Sequence, residues 1–461
     1  MSIVAAYMVP HPPLIIPEVG RGGEKRIRST VKAYDTVGRD IGRLKPDTVI
    51  ITSPHSVMYA DYFHISPGSG AVGSFADFGA PRARFSESYD TELVKTIESM
   101  AESELFPAGT LGERDKKLDH GTLVPLHFIR NYLDGFRIVR IGLSALPLTK
   151  HYQLGKLINA AVEKLGRRAV FVASGDLSHK LREDGPYGYS PQGEEYERRI
   201  MDVCSRGAFG ELFDFDEDLR ERAAECGHGS LVIMAGALDG MSVRAERLSH
   251  EDVTGVGYGI CSFVPEGPDE SRRFLDARLS EEERRVSDKA ASSDAYAALA
   301  RRAVEEYVLH GKRLQLPRDK NTQMTRAKAG AFVSIHEHGA LRGCIGTISP
   351  VRSCIGEEII SNAISAATAD PRFRPIGPEE LKWLEISVDI LSEPEEIDSP
   401  DRLDVKRYGV IVCSGSKRGV LLPDLEGVDT VEQQIDIARQ KAGIAPGKKL
   451  TLYRFTVSRH S

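Results

Sequence analysis

The chain has 461 residues, about three times the commonest length of a single domain, which favours two or three domains. Its content of 41% hydrophobic and 28% charged residues is typical of a globular protein and excludes global disorder. The net charge of -6 predicts no surface for nucleic acid or for an anionic membrane, so small molecules or proteins are the expected partners. The sequence contains no apolar run of membrane-spanning length, and its start, MSIVAAYMVPHPPL, lacks the pattern of a signal peptide. We therefore expect a cytoplasmic protein.

Residues 1–265 alternate short apolar runs with amphipathic stretches, which is the pattern of an α/β domain. Runs such as TVIIT and AVFVA favour strands that are covered on both faces, so we expect a largely parallel or mixed central sheet. The predicted strands are Ile3–Met8, Thr48–Thr52, Phe136–Leu143, Ala169–Ala173 and Gly255–Val264. The predicted helices are Glu24–Leu44, Asp90–Glu102, Tyr152–Leu165, Gly193–Cys204 and Ser230–Leu238.

Residues 266–294 are dense in charge and poor in apolar side chains, and we interpret them as a linker that includes at most an exposed helix. A smaller second domain is expected over residues 295–461. It begins with a helix that ends at Gly311 and continues with β-rich segments, which predicts an α+β fold. The predicted strands of this domain are Ala331–His336, Glu385–Leu391, Gly409–Cys413 and Leu450–Val457.

Three histidines of the first domain follow predicted strands. His11 lies in VPHPPL, His55 in ITSPHS and His179 in VASGDLSH. Because loops from neighbouring strands converge at the carboxyl edge of an open sheet, these side chains are candidates for one ligand site.

Two imidazoles and one carboxylate on one face of a cation are the arrangement that non-heme Fe(II) oxygenases use. His11 and His55 are the imidazole candidates, and Glu225 is the carboxylate candidate because it lies directly before a glycine-rich turn. Rival ligands stand beside it, at Cys226 and His228.

The motifs VPHPPL, SPHS, DHGTLVPL and SGDLSH, together with the ECG segment, resemble the class III extradiol dioxygenases of the LigB type and their Memo relatives over residues 1–265. The resemblance implies iron ligation by His11, His55 and Glu225. Fe(II) is the expected metal, with copper and zinc as alternatives. In the Memo relatives a cysteine occupies the third position, so Glu225 and Cys226 remain alternatives.

The same resemblance implies an oxidoreductase that cleaves a small aromatic or phenolic substrate with O2. It implies that His179 is the acid/base group and that His120 of the DHGT motif lines the substrate pocket. Asp176 either orients His179 or bonds its own backbone in the turn. The alternative function is a metal-binding accessory protein without ring-cleaving activity.

Two motifs of the second domain carry further candidates. ALRGCIGTI (residues 340–348) places Cys344 between two glycines, as a reactive thiol beside Arg342 or as a buried structural one. DPRFRP (residues 370–375) offers Arg372 either to an anionic partner or as part of a surface turn. With YGVIV, GVLLPDL and LYRF, these motifs resemble the AMMECR family over residues 295–461.

The combination of the two modules resembles the chains of the AmmeMemoRadiSam system. This resemblance implies a radical S-adenosylmethionine protein as a partner, with the second domain contributing recognition or a second step. The sequence is also compatible with a homo-oligomer.

Overall fold

The computed structural model of the chain describes residues 2–114, 117–316, 322–425 and 427–461. The chain forms two compact units, one ending at Arg278 and the other beginning at Leu279. Among the helices of the described residues, none combines the length and the apolar character that a membrane span requires.

The first unit alternates strands and helices. Its strands are β1 (Ile3–Val9), β2 (Thr48–Ser53), β3 (Phe63–His64), β4 (Gly70–Phe75), β5 (Ala80–Ser88), β6 (Ala108–Gly109), β7 (Arg137–Gly142), β8 (Ala169–Ser174), β9 (Met241–Glu251) and β10 (Tyr258–Pro268). Its helices are α1 (Pro17–Gly20), α2 (Arg28–Leu44), α3 (Thr91–Ser103), α4 (His120–Arg130), α5 (Leu148–Lys164), α6 (Pro191–Arg206), α7 (Glu217–Ala223) and α8 (His228–Ala237).

A six-stranded sheet in the order β7-β2-β8-β1-β10-β9 forms the centre of this unit. Strands β7, β2, β8 and β1 are parallel, whereas β10 runs antiparallel to both β1 and β9. Every residue of β2 and β8 is buried, as the unbroken apolar runs predict. The expected α/β fold with a mixed sheet is confirmed.

The parallel strands place their carboxyl ends at one edge of the sheet. β1 ends at Val9, β2 at Ser53 and β8 at Ser174, so the loops that carry the candidate histidines begin side by side. Side chains of β1 that point to one face pack in the same core as helices α2 and α4. Helix α8 packs against β8 and places the 224–228 loop at the same edge.

The segment expected to be a charged linker is mostly helical. Helix α9 (Phe274–Ser292) contains the boundary between the two units. Its apolar residues Leu275 and Val286 are buried, and Arg285 and Lys289 both pair with Glu385, at 2.7 and 2.6 Å. Independent folding of the two units stays a prediction.

The second unit has two four-stranded antiparallel sheets, in the orders β12-β11-β13-β18 and β14-β17-β15-β16. Helices α10 and α12 pack on the first sheet, and α13 packs on the second. The expected α+β fold is confirmed. Its helices are α10 (Ala295–His310), α11 (Gln323–Arg326), α12 (Ile355–Thr368) and α13 (Val431–Lys441). Its strands are β11 (Ala331–Glu337), β12 (Ala340–Thr347), β13 (Leu384–Leu391), β14 (Glu395–Ile397), β15 (Gly409–Ser414), β16 (Lys417–Leu421), β17 (Thr451–Phe455) and β18 (Val457–His460).

Candidate metal centre

Three ligand side chains meet at the carboxyl edge of the six-stranded sheet: His11, His55 and Cys226. The Nε2 atoms of His11 and His55 are 3.0 Å apart, and Cys226 Sγ lies 3.7 Å from His11 Nε2. Nitrogen and sulfur ligands lie about 2.0–2.3 Å from a bound zinc ion, so two ligands of one ion are at most about 4.5 Å apart. Both measured separations fall within that limit, and all three ligand atoms lie within 4.8 Å of one another, so the three side chains form a candidate site for one ion.

Ser174 fixes the orientation of the His11 ring. Its hydroxyl donates to the Gly121 carbonyl at 2.6 Å, so its oxygen accepts the hydrogen bond from His11 Nδ1 at 3.0 Å. With the proton on Nδ1, the Nε2 lone pair of His11 points to His55 and Cys226. Metal-binding histidines are usually held in this way by a hydrogen bond from the other ring nitrogen.

A glycine-on-glycine contact brings Cys226 into the group. A Cβ atom on Gly175 would lie 2.0 Å from the Cα of Gly227, so only glycines allow the loop after β8 and the loop before α8 to approach this closely. Next to this contact, the Asp176 amide donates to Cys226 Sγ at 3.3 Å. The contact thus fixes the register that presents the Cys226 thiol to His11.

The other two candidates for the third ligand have different partners. Glu225 accepts the His228 amide through Oε2 at 2.6 Å, at the start of α8, and burial raises its pKa to about 7. His228 is fully buried, with Nδ1 3.2 Å from the Tyr196 hydroxyl and Nε2 3.0 Å from the Leu212 carbonyl. The geometry favours Cys226 over Glu225 and His228.

His179 is positioned beside this group by a backbone carbonyl. Its Nδ1 donates to Ala224 O at 2.6 Å, which leaves Nε2 3.9 Å from Asp176 Oδ2, beyond hydrogen-bond distance. Asp176 Oδ1 instead accepts the His11 amide at 2.7 Å, and burial raises the pKa of the Asp176 carboxyl. In this arrangement Asp176 anchors the His11 loop, and Ala224 holds the His179 ring.

His120 completes a cluster of imidazoles. Its ring lies 4.0 Å from the His55 ring and 5.2 Å from the His11 ring, centroid to centroid. It is the first residue of α4, and Asp119 caps that helix by accepting the Thr122 amide at 3.1 Å. The structure therefore brings together His11, His55 and His179, which follow strands in the sequence, and His120, to which the family resemblance pointed.

Burial keeps the imidazoles of His11, His55 and His120 neutral near pH 7. It lowers the pKa of His11 to about 3 and of His120 to about 4, and neighbouring histidines add to both effects. The pKa of His55 is also lowered, mainly by desolvation. Neutral imidazoles offer a lone pair, which is the form that binds metal ions.

The residues that hold the loops of the imidazole cluster in place were not predicted from the sequence. Asp119 accepts hydrogen bonds from Ser53 Oγ at 2.6 Å and Ser56 Oγ at 2.9 Å, and it pairs with the buried Arg140 at 3.1 Å. The signal for Asp119 was present, because an aspartate directly before a helical stretch is typical of an N-cap. Nothing local in the sequence identified Arg140 or Ser174.

Two aromatic side chains flank the histidines and were also missed. The Phe78 ring lies 5.3 Å from that of His120, and the Tyr187 ring lies 5.0 Å from that of His179. Phe78 is 39% exposed and Tyr187 is 60% exposed. They therefore offer accessible ring surfaces next to the candidate metal ligands.

Cys344 and Arg372 belong to the second unit. Arg372 pairs with Asp370 at 2.7 Å, and its guanidinium also donates to the Cys344 carbonyl at 3.4 Å. The Cys344 thiol accepts the Ser334 hydroxyl at 3.3 Å. The two motifs of the second domain are thus neighbours in space.

Comparison with known proteins gives a consistent result for both units. The family model described as the catalytic LigB subunit of aromatic ring-opening dioxygenase matches residues 5–261, and the AMMECR1 model matches residues 297–460. A Clostridium acetobutylicum protein is 41% identical to this chain, in an alignment that covers 100% of this chain and 99% of that protein. A Thermotoga maritima protein is 48% identical, covering 36% of this chain and 96% of its own.

Among solved structures, an uncharacterized Pyrococcus horikoshii protein is 34% identical and covers 36% of this chain and 88% of its own, with a TM-score of 0.34. The LigB model alone matches more than half of the chain. The chain therefore belongs to the LigB family of aromatic ring-opening dioxygenase subunits and carries an AMMECR1 domain after its LigB domain.

Proposed function

We propose that the first unit is a metal-dependent oxidoreductase of the extradiol dioxygenase type, acting on a small phenolic compound with O2. The observation that carries this proposal is the convergence of His11, His55 and Cys226 beside His179 at the edge where α/β sheets bind ligands. The flanking rings of Phe78 and Tyr187 support an aromatic substrate, because they can pack against its ring.

The donor set fits a transition metal. Two neutral imidazoles and one thiol are ligands for iron, copper or zinc, and they are unsuited to magnesium or calcium, which prefer oxygen. When bound, such an ion supplies Lewis acidity towards the phenolic oxygens and, if it is iron or copper, electron transfer. Fe(II) remains the metal that we propose for the dioxygenase reaction.

The chain's own residues then have separate tasks. His11 and His55 hold the metal, and Ser174 keeps the His11 lone pair directed towards it. His179 has its Nδ1 proton committed to Ala224, so Nε2 is the atom that accepts a phenolic proton and later returns it. His120 packs beside His55 and forms part of the substrate wall.

A second candidate function is favoured by one observation, the thiol in the third position. Thiolate ligands favour Cu(I) and zinc, whereas the oxygenase triad has a carboxylate there. The alternative proposal is therefore an accessory protein that binds copper or zinc without cleaving rings. Under this proposal, it serves a radical S-adenosylmethionine protein, with the AMMECR1 domain making the contact.

Anaerobically purified protein, loaded separately with Fe(II), Cu(I) and zinc, distinguishes the two functions. The dioxygenase proposal expects O2 consumption with catechol and a new visible absorbance from the ring-opened product in the Fe(II) form alone. Stoichiometric copper or zinc binding, with no O2 uptake by the Fe(II) form across a panel of substituted catechols, would favour the accessory role. Failure to retain any of the three metals would reject both.

A further inference from the structure

The second unit contains a cavity of about 710 Å³ that is lined by residues of this unit alone. One wall is formed by residues of β11, β12, β13 and β18, and the other by β16, the segment that follows it and the end of α13. Sites for small molecules commonly have volumes of about 300–1,000 Å³. The cavity is thus large enough for a metabolite.

Most of the side chains in the wall formed by the first sheet are polar, with Phe332 and Leu341 as the apolar ones, although a second layer of protein faces it. Along β11, Ala331, Val333 and Ile335 point into the core with helices α10 and α12, whereas Phe332, Ser334 and His336 line the cavity. Sheet faces that are covered by protein are normally apolar, because buried polar groups without partners are costly. The polar face therefore suits a ligand that offers hydrogen bonds.

Three small polar side chains form a row across this wall. Ser334 of β11 is directly opposite Cys344 on one neighbouring strand and Ser387 on the other. All three residues line the cavity and are half-buried, and the Ser334 hydroxyl donates to Cys344 Sγ at 3.3 Å. We call these residues the Cys344 row.

The opposite wall carries two cations and one carboxylate, that of Asp424. Arg418 of β16 and Lys441 of α13 line the cavity, and neither forms an ion pair with a carboxylate in the part of the chain that the structure describes. In contrast, Arg459 in the same cavity pairs with Asp389 at 3.0 Å. Two cations without carboxylate partners, facing one cavity, indicate an anionic ligand.

We infer that this cavity binds a small molecule that carries a phosphate or carboxylate group. Arg418 and Lys441 contact the anionic group, and the Cys344 row contacts the polar remainder of the molecule. This inference does not depend on the function proposed for the first unit, because it uses residues of the second unit alone.

The first test measures whether a ligand covers Cys344. Pyrophosphate and citrate serve as probes on the full-length chain, and alkylation of each cysteine by iodoacetamide is followed by mass spectrometry. We expect at least one probe to slow alkylation of Cys344 about tenfold at saturation. Cys413 is an internal control, since it lies in the same unit, is also half-buried and does not itself line the cavity. The proposal is wrong if neither probe slows alkylation of Cys344, or if Cys413 slows equally.

The second test measures whether Arg418 and Lys441 contribute to binding of the anionic group. Arg418→Gln and Lys441→Gln each remove an exposed charge, and each should weaken binding of the effective probe about tenfold by calorimetry. The exposed Lys448 lies outside the lining, so Lys448→Gln should bind like the wild type. Wild-type affinity in both cavity variants would overturn the assignment. If a Gln variant fails to fold, Arg418→Lys and Lys441→Arg keep the charge, and the proposal requires that they retain binding.

The two probes also separate the two ligand sources. Preference for pyrophosphate indicates a phosphorylated metabolite, and preference for citrate indicates a carboxylic acid. Binding of neither probe overturns the proposal for both sources.

Discussion

The Nε2 atoms of His11 and His55 lie 3.0 Å apart although 44 positions separate the two residues in the chain. They follow β1 and β2, which are not adjacent but flank β8 in the central sheet. The loop after β8 lies between them and contributes Asp176 and His179, with Ser174 at the strand end. The sheet order therefore explains why this edge gathers the candidate ligands, the anchor of the His11 loop and the proposed proton-transfer group.

The third ligand is the first point to test. Replacing Cys226 by serine removes the thiol of the cluster, so zinc affinity should fall at least about hundredfold. Glu225→Gln should retain affinity within about threefold, because a glutamine oxygen can still accept the His228 amide. Competition with a chromophoric chelator measures both. The opposite ranking would make Glu225 the ligand, and Cys413→Ser in the second unit controls for general effects of losing a thiol.

A separate prediction concerns the hydrogen bond between Ser174 and His11 Nδ1. Ser174→Ala removes the acceptor of the His11 Nδ1 hydrogen bond, so the ring loses its fixed orientation and metal affinity should fall about 10–100-fold. The matched control is Ser205→Ala, whose hydroxyl also donates to a backbone carbonyl but lies in α6. The same chelator assay compares the two variants. Equal affinities in both would show that Ser174 does not orient the ligand.

The proposed function assigns metal binding and proton transfer to different residues. His179→Ala should keep the metal content of the wild type and lose turnover by a factor on the order of 10² to 10⁴. Metal analysis and O2 uptake on the same preparation test both halves of this prediction, and His310→Ala at the end of α10 is the control. Near-normal turnover would refute the acid/base role. Loss of metal would make His179 a ligand.

Much of the first unit was predictable because its strands are unbroken apolar runs. Strand β9 was missed, since its sequence MSVRAERLSHE carries charged side chains on an edge strand, where only part of the residues are buried. The hairpin of β4 and β5 was missed because GAVGSF is short and glycine-rich. Edge and hairpin strands lack the buried pattern on which the prediction relies.

The histidines of the candidate site could be predicted from the sequence, but its third ligand could not. His11, His55 and His179 follow strands, so their common edge could be inferred from the alternation of elements. The choice between Glu225 and Cys226 depends on the register of one loop, which the contact between Gly175 and Gly227 determines. Such a contact joins distant parts of the chain and leaves no local pattern in the sequence.

The Asp119 carboxyl lies beneath the candidate site, and its ionisation makes the stability of the fold depend on pH. Burial alone would raise the pKa of its carboxyl, but Arg140 and hydrogen bonds from Ser53, Ser56 and Thr122 outweigh burial, so the pKa lies below its usual value. A carboxyl with a depressed pKa in the folded state stabilises the fold above the pKa of the unfolded chain, about 3.9. That contribution is lost as the pH falls through the lower pKa of the folded state.

We therefore expect Asp119→Asn to lower the free energy of unfolding by about 3–5 kcal/mol near neutral pH, because the variant breaks the ion pair between the Asp119 carboxylate and the buried Arg140. The difference from the wild type should shrink below about pH 4, since the Asp119 carboxyl of the unfolded wild-type chain then takes up a proton, and the folded-state carboxyl follows at lower pH. Urea unfolding followed by circular dichroism at a series of pH values measures this difference. The exposed Asp134 provides the control, and Asp134→Asn should change stability by less than about 0.5 kcal/mol. A difference for Asp119→Asn that stays constant down to about pH 3 would show that the Asp119 charge does not stabilise the fold.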